Sequence, residues 1–210
     1  AGILQWWCFP QTSSLKEVIE NPYFTTRDER GNHYIINKGK SEVLKVSKEN
    51  RIMSRLSWDN HEADCFGEAD EVAVDRKGNI YVLDVIWNDT GLGLAMERVL
   101  RYTPDGKFDR VVFEKDYSKT MITKRHLFSL VRVGDEIRFA EVHPDGKGFS
   151  VYVLKSDRNK AEESVEFDWD SAIEIQDFAL DKKLGYFVIK NGTIYSFDSA
   201  KIRVAYQVAD

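Results

Sequence analysis

Asn79, Asp84, Asn88 and Asp89 lie close together in the chain, and all carry side-chain oxygens of the kind that hold a hard cation. Calcium takes roughly six to eight such oxygens, which makes Asn79 and Asp84 candidate metal ligands. The same residues have a second explanation. Asp75, Asn79 and Asp84 stand where short polar side chains satisfy backbone N–H groups at chain reversals. Turn chemistry accounts for them without a metal, so no cofactor is expected and calcium stays the minor alternative.

Trp87, Asn88 and Asp89 are the candidate ligand- or partner-binding residues. They fall in Val85–Glu97, a stretch that interrupts an otherwise regular repeat and is expected to project from one rim as a loop. A two-residue Asn-Gly turn is expected to replace it without loss of the fold. An exposed Trp87 would be a recognition anchor, since Trp is enriched where partners bind. A buried one would plug the insertion against its sheet. The sequence leaves both open.

No catalytic set stands out. His33, His61, His126 and His143 are scattered without metal-ligand spacing, and His61-Glu62-Ala63-Asp64-Cys65 lacks the second ligand pair that a structural zinc site needs. Gly91-Leu92-Gly93 has neither the third glycine nor the βαβ setting of a dinucleotide site, and there is no nucleophile elbow. The acidic run Glu162–Asp170 reads as a hairpin with a solvated strand.

The charge balance, with 30 Lys and Arg against 35 Asp and Glu, provides no basic face for nucleic acid. It provides no polybasic membrane patch either. Cys8 and Cys65 permit one disulfide and compel none. Ala1–Phe9 is strongly apolar but too short to span a bilayer. Its paired Trp6 and Trp7 read as a packed strand or tail, as the interfacial end of a membrane helix, or as the end of a signal region.

The elements that position these residues come from a repeat. An apolar strand ends in Asp, a polar turn with Gly follows, and then alternating strands. Asp28-Glu29-Arg30-Gly31-Asn32 precedes His33–Asn37, and Asp75-Arg76-Lys77-Gly78-Asn79 precedes Ile80–Asp84. A looser copy surrounds Gly134-Asp135, and a fourth runs from Asp177 to Val208. Helix signals are confined to Ser13–Glu20, with Ser14 as cap. Domain boundaries follow: a lead-in over 1–21, then blades over about 22–57, 66–117, 125–168 and 174–210.

Asp75–Asp84, followed by Arg98–Tyr102 and Pro104–Phe108, resembles an NHL-type repeat of six-bladed β-propellers with TolB-like blades. Asp28–Lys45 is similar, and Asp181–Phe197 more distantly so. The resemblance implies an all-β chain of about four consecutive four-stranded antiparallel blades. Four are expected not to close by themselves, so further blades or another chain would complete the ring. Val72, Val74, Ile80, Val82, Phe178, Leu180, Phe187 and Ile189 should be buried between blades. Propellers host many functions. The expected function is a non-enzymatic binding, sensor or protein-interaction module for a protein partner or small ligand, extracytoplasmic and membrane-associated, in a larger bacterial protein. A metal-dependent hydrolase of the gluconolactonase or lactonase type is the alternative, and a structural assembly subunit the third.

Overall fold

The structure is a computed structural model that describes residues 15, 18–57, 67–119, 127–143, 147–155, 161–168, 177–181, 185–190, 193–198 and 201–207. It is almost entirely β. The first sheet comprises β1 (Pro22–Arg27), β2 (His33–Asn37), β3 (Glu42–Val46) and β4 (Ile52–Ser57). The second comprises β5 (Glu68–Val74), β6 (Ile80–Trp87), β7 (Leu94–Tyr102) and β8 (Phe108–Asp116). β9 (Phe128–Val133), β10 (Glu136–Val142), β11 (Gly148–Leu154) and β12 (Glu162–Asp168) make the third. β13 (Asp177–Asp181), β14 (Gly185–Lys190), β15 (Thr193–Asp198) and β16 (Lys201–Gln207) make the fourth. Each sheet is an antiparallel meander in which every strand pairs with its chain neighbour. The first strands of the sheets pack in succession, β1 on β5, β5 on β9 and β9 on β13. This is the arrangement of four consecutive propeller blades, with those strands innermost.

Alternation places successive side chains on opposite faces, so each sheet serves two interfaces. Between the first two blades Tyr34, Ile36 and Val43 meet Val72, Val74, Ile80 and Val82. On the other face of the second blade, Ala73, Tyr81, Leu83 and Val99 meet Leu130, Ile137 and Phe139. Val72, Val74, Ile80 and Val82 are buried as their alternation requires. The side chains of Phe178, Leu180, Phe187 and Ile189 lie outside the described residues. So does most of Ser13–Glu20, although Leu15 and Val18 are helical and pack against Ile35 and Leu44.

The turns between first and second strands of the first two blades share one construction. Asp28 accepts from the backbone N–H groups of Arg30 and Asn32, both at 2.9 Å, from the Asn32 amide at 2.8 Å and from the Tyr34 hydroxyl at 3.1 Å. Asp75 does the same for Asn79 and Tyr81. Gly31 and Gly78 close these turns at φ +86° and +87°, a conformation that costs an L side chain strain. Ion pairs knit consecutive turns together: Glu29 accepts from Arg76 and Arg132, and Arg76 reaches Asp135.

The segment Val85–Glu97 is not a loop. β6 runs on to Trp87 and β7 begins at Leu94, with Val85 opposite Glu97 and Ile86 opposite Met96. Val85 and Leu94 are buried against Tyr117 and Phe128, so the apolar residues that broke the repeat extend the hairpin instead. Only the turn between Trp87 and Leu94 projects.

Candidate functional site

Asn88 spends its side chain on that turn. Its Oδ1 accepts from the Thr90 hydroxyl at 2.7 Å and from the backbone N–H groups of Leu92 and Gly93 at 3.2 and 3.3 Å. Gly91, at φ +68°, donates its N–H to the Asn88 carbonyl. A short polar side chain organising its own reversal is the behaviour expected of Asn. Asp89 is exposed at the tip, as is Leu92. Trp87 is 43% exposed, which settles its placement in favour of exposure.

The Trp87 ring is nonetheless held. Its Nε1–H donates to Oε2 of Glu68, at the start of β5, over 3.0 Å. The other oxygen of Glu68 accepts from Lys38 Nζ at 2.7 Å, and the same ammonium donates to Asp70 Oδ1 at 2.9 Å. Lys38 Nζ also lies 3.5 Å from the ring centroid of Tyr23, itself 48% exposed. Burial opposes the Lys38 charge, but hydrogen bonds to Glu68 and Asp70 outweigh it and hold the ammonium above its ordinary range. Burial likewise pushes Glu68 upward, and Lys38 and Trp87 more than compensate, leaving its carboxyl below the usual range. Four elements therefore build one rim: β1 with Tyr23, the 3-10 turn Lys38–Lys40, β5 with Glu68 and Asp70, and β6 with Trp87.

Asp84 supports this rim from below. It is fully buried; its Oδ2 accepts from Arg98 Nε at 2.7 Å and its Oδ1 from the Glu68 backbone N–H at 3.1 Å. Burial raises its pKa, and Arg98 with the backbone donors of Gly67 and Glu68 offsets only part of that. Asn37 and Glu141 occupy the corresponding end of the second strand in the neighbouring blades, and both are fully buried. Asn37 accepts from the Glu20 N–H at 2.6 Å and donates to the Val18 carbonyl. Glu141 accepts from Tyr117 Oη at 2.7 Å, and from Lys115 and Tyr152. In the first two blades this polar side chain ties down the backbone entering the inner strand, whereas Glu141 of the third binds the side chains of Lys115, Tyr117 and Tyr152 instead.

Asn79 immediately precedes β6 and Asp84 lies five residues further along it, roughly 16 Å away. Its amide is engaged by Asp75. Asn79 and Asp84 thus do not converge, and Asp84 is already matched by a guanidinium. Among the described residues, no three or more His, Cys, Asp or Glu side chains group to hold a metal ion. His143 Nε2 lies 3.0 Å from the Ser150 hydroxyl, and His33 flanks the Asp28 turn. Cys8, Cys65, His61 and His126 lie outside the described residues. Sequence reading missed Tyr23, Lys38, Glu68 and Asp70, which belong to three elements, β1, the 3-10 turn and β5, of two blades.

No family model matches the sequence, and a search of curated proteins finds no relative. Solved structures do share the fold. A gluconolactonase from Xanthomonas campestris superposes with a TM-score of 0.59 at 13% identity, covering 89% of this chain and 61% of its own. A streptogramin B lyase gives 0.54 at 14%, covering 90% and 55%. Virginiamycin B lyase from Staphylococcus aureus gives 0.52 at 11%, covering 89% and 55%. The chain therefore spans little more than half the length of these neighbours, and at such identities the likeness is one of propeller fold.

Proposed function

We propose that this chain is a non-enzymatic binding module of a larger β-propeller protein and contacts a protein partner or small ligand through the rim bearing Tyr23 and Trp87. One observation carries the reading: two exposed aromatic rings stand on one rim, joined through the Lys38–Glu68 ion pair, and Glu68 orients the Trp87 ring. Rigid aromatic side chains that are already oriented bind with little loss of conformational freedom. Asp89 and Leu92 at the hairpin tip extend the contact surface, while Asn88 shapes the turn. A ring completed by further blades or another chain fits the span of this chain within its structural neighbours. An extracytoplasmic, membrane-associated setting rests on the apolar Ala1–Phe9 run, which lies outside the described residues.

A metal-dependent propeller hydrolase of the gluconolactonase type is the competing reading, for which the rim offers the carboxylates of Glu68, Asp70 and Asp84, although these do not group as a metal site. Lys38 and Arg98 already engage all three, which supports the binding reading instead. A photo-crosslinking residue at position 87 of the full-length protein tests it in the native cell, with position 53 as control. Met53 is at least as exposed but on the outer strand β4. A discrete adduct from 87 and none from 53 supports the reading; equal labelling overturns it. Stoichiometric calcium with chelator-sensitive lactone hydrolysis would establish the hydrolase.

A further inference from the structure

Resting on the binding reading above, we infer that the Tyr23–Trp87 rim recognises an arginine side chain of a partner protein, and that Lys38 is the resident cation it displaces. The site already displays its preference, because it holds an ammonium. Lys38 Nζ is gripped by Glu68 and Asp70 at 2.7 and 2.9 Å and stands over the Tyr23 ring at 3.5 Å. An aromatic face with two carboxylates is the environment that stabilises an organic cation.

The charge of the cluster favours a cation. Glu68 and Asp70 contribute two negative charges against the single positive charge of Lys38, so the cluster keeps one formal negative charge. Asp89 is exposed at the tip of the neighbouring hairpin.

Lys38 is also a replaceable occupant. Its backbone is fixed, with its N–H donated to the Asn21 carbonyl, but the ammonium is carried on a flexible four-carbon stem. A guanidinium is planar, stacks on aromatic faces and meets a carboxylate with two parallel hydrogen bonds. It therefore gains contacts at Glu68 or Asp70 that a lysine does not make, while Tyr23 and Trp87 provide flat surfaces. The released Lys38 turns to solvent, where a lysine is well hydrated.

The test uses the full chain and a short glycine-flanked arginine peptide, compared with the same peptide carrying citrulline, which keeps the shape and loses the charge. Calorimetry and the indole N–H resonance of Trp87 report binding. The arginine peptide is expected to bind at least tenfold more tightly than the citrulline peptide. Glu68→Gln and Asp70→Asn should each erase the difference, and Lys38→Met should strengthen arginine binding severalfold. Equal affinity for both peptides, or no gain in Lys38→Met, overturns the inference. Circular dichroism of each variant separates loss of the site from loss of fold. Failure here with a specific adduct at position 87 leaves the binding reading standing and removes only the arginine.

Discussion

The indole of Trp87 and the carboxylate of Glu68 meet across two hairpin strands of one blade, Nε1 to Oε2 at 3.0 Å. The bond orients the ring without burying it. Trp87→Ala is accordingly expected to shift stability by no more than about 0.5 kcal/mol, as for other exposed surface sites. Urea denaturation checks this, and a larger loss would mean that the ring packs into the blade.

Asp84 behaves in the opposite way. Removing it alone leaves Arg98 largely buried without its carboxylate, and breaking such a pair costs about 3–5 kcal/mol. Asp84→Ala should therefore lower the urea midpoint sharply, and the double change Asp84→Leu with Arg98→Met should recover most of the loss. A double variant as unstable as the single one would show that the backbone donors of Gly67 and Glu68 dominate instead.

Glu71, on β5, accepts the backbone N–H of Leu130 across the seam between the second and third blades. Burial pushes its carboxyl from 4.5 up to about 8, with the nearby Asp70 charge adding to the shift. The folded chain thus keeps a proton that the unfolded chain has lost between those values. Stability from this group is full below about pH 4.5 and declines as pH rises through 8. Glu71→Gln is expected to flatten that decline and to be more stable than the parent at pH 8.5, by about 1–3 kcal/mol on the scale of a desolvated polar group. Parallel urea titrations at pH 5.5 and 8.5 measure it; a parent that gains stability with pH in excess of Glu71→Gln would contradict the assignment.

The hairpin gives a fourth test. Replacing only the residues between Trp87 and Leu94 with Asn-Gly should preserve folding, because that dipeptide closes tight antiparallel turns. Replacing the whole of Val85–Glu97 should not, since it discards buried Val85 and Leu94 and leaves Tyr117 facing a cavity. Thermal denaturation of the two deletions should separate them by many degrees.

The blade repeat was legible because Asp75–Asn79 and Asp28–Asn32 carry turn chemistry that only a few residue types perform, with strict alternation after it. Alternation also located Val72, Val74, Ile80 and Val82 in the core. It failed at Val85–Glu97, where a longer hairpin looks like an insertion to a reading tuned to the shorter copy at Asn37–Glu42. The rim was not legible. Tyr23, Lys38, Glu68 and Asp70 look like ordinary surface residues, and only the packing of β5 against β1 and β2 brings them together. The correspondence of Asn37 and Asp84 was hidden for another reason: an amide in one blade and an acid in the next both bind the backbone entering the inner strand, so residue type does not reveal it.

Each meander pairs a strand only with its neighbour in the chain, so the hydrogen-bond ladders end at the edges of each blade. Cohesion between blades rests on interdigitated side chains and a few bridging contacts such as Glu71 to Leu130. A force applied along the chain therefore meets two kinds of resistance. Separating blades shears an apolar seam, while unravelling one requires its ladders to open strand by strand. Under tension the molecule should come apart in blade-sized steps, each unit yielding as a whole before the next is loaded.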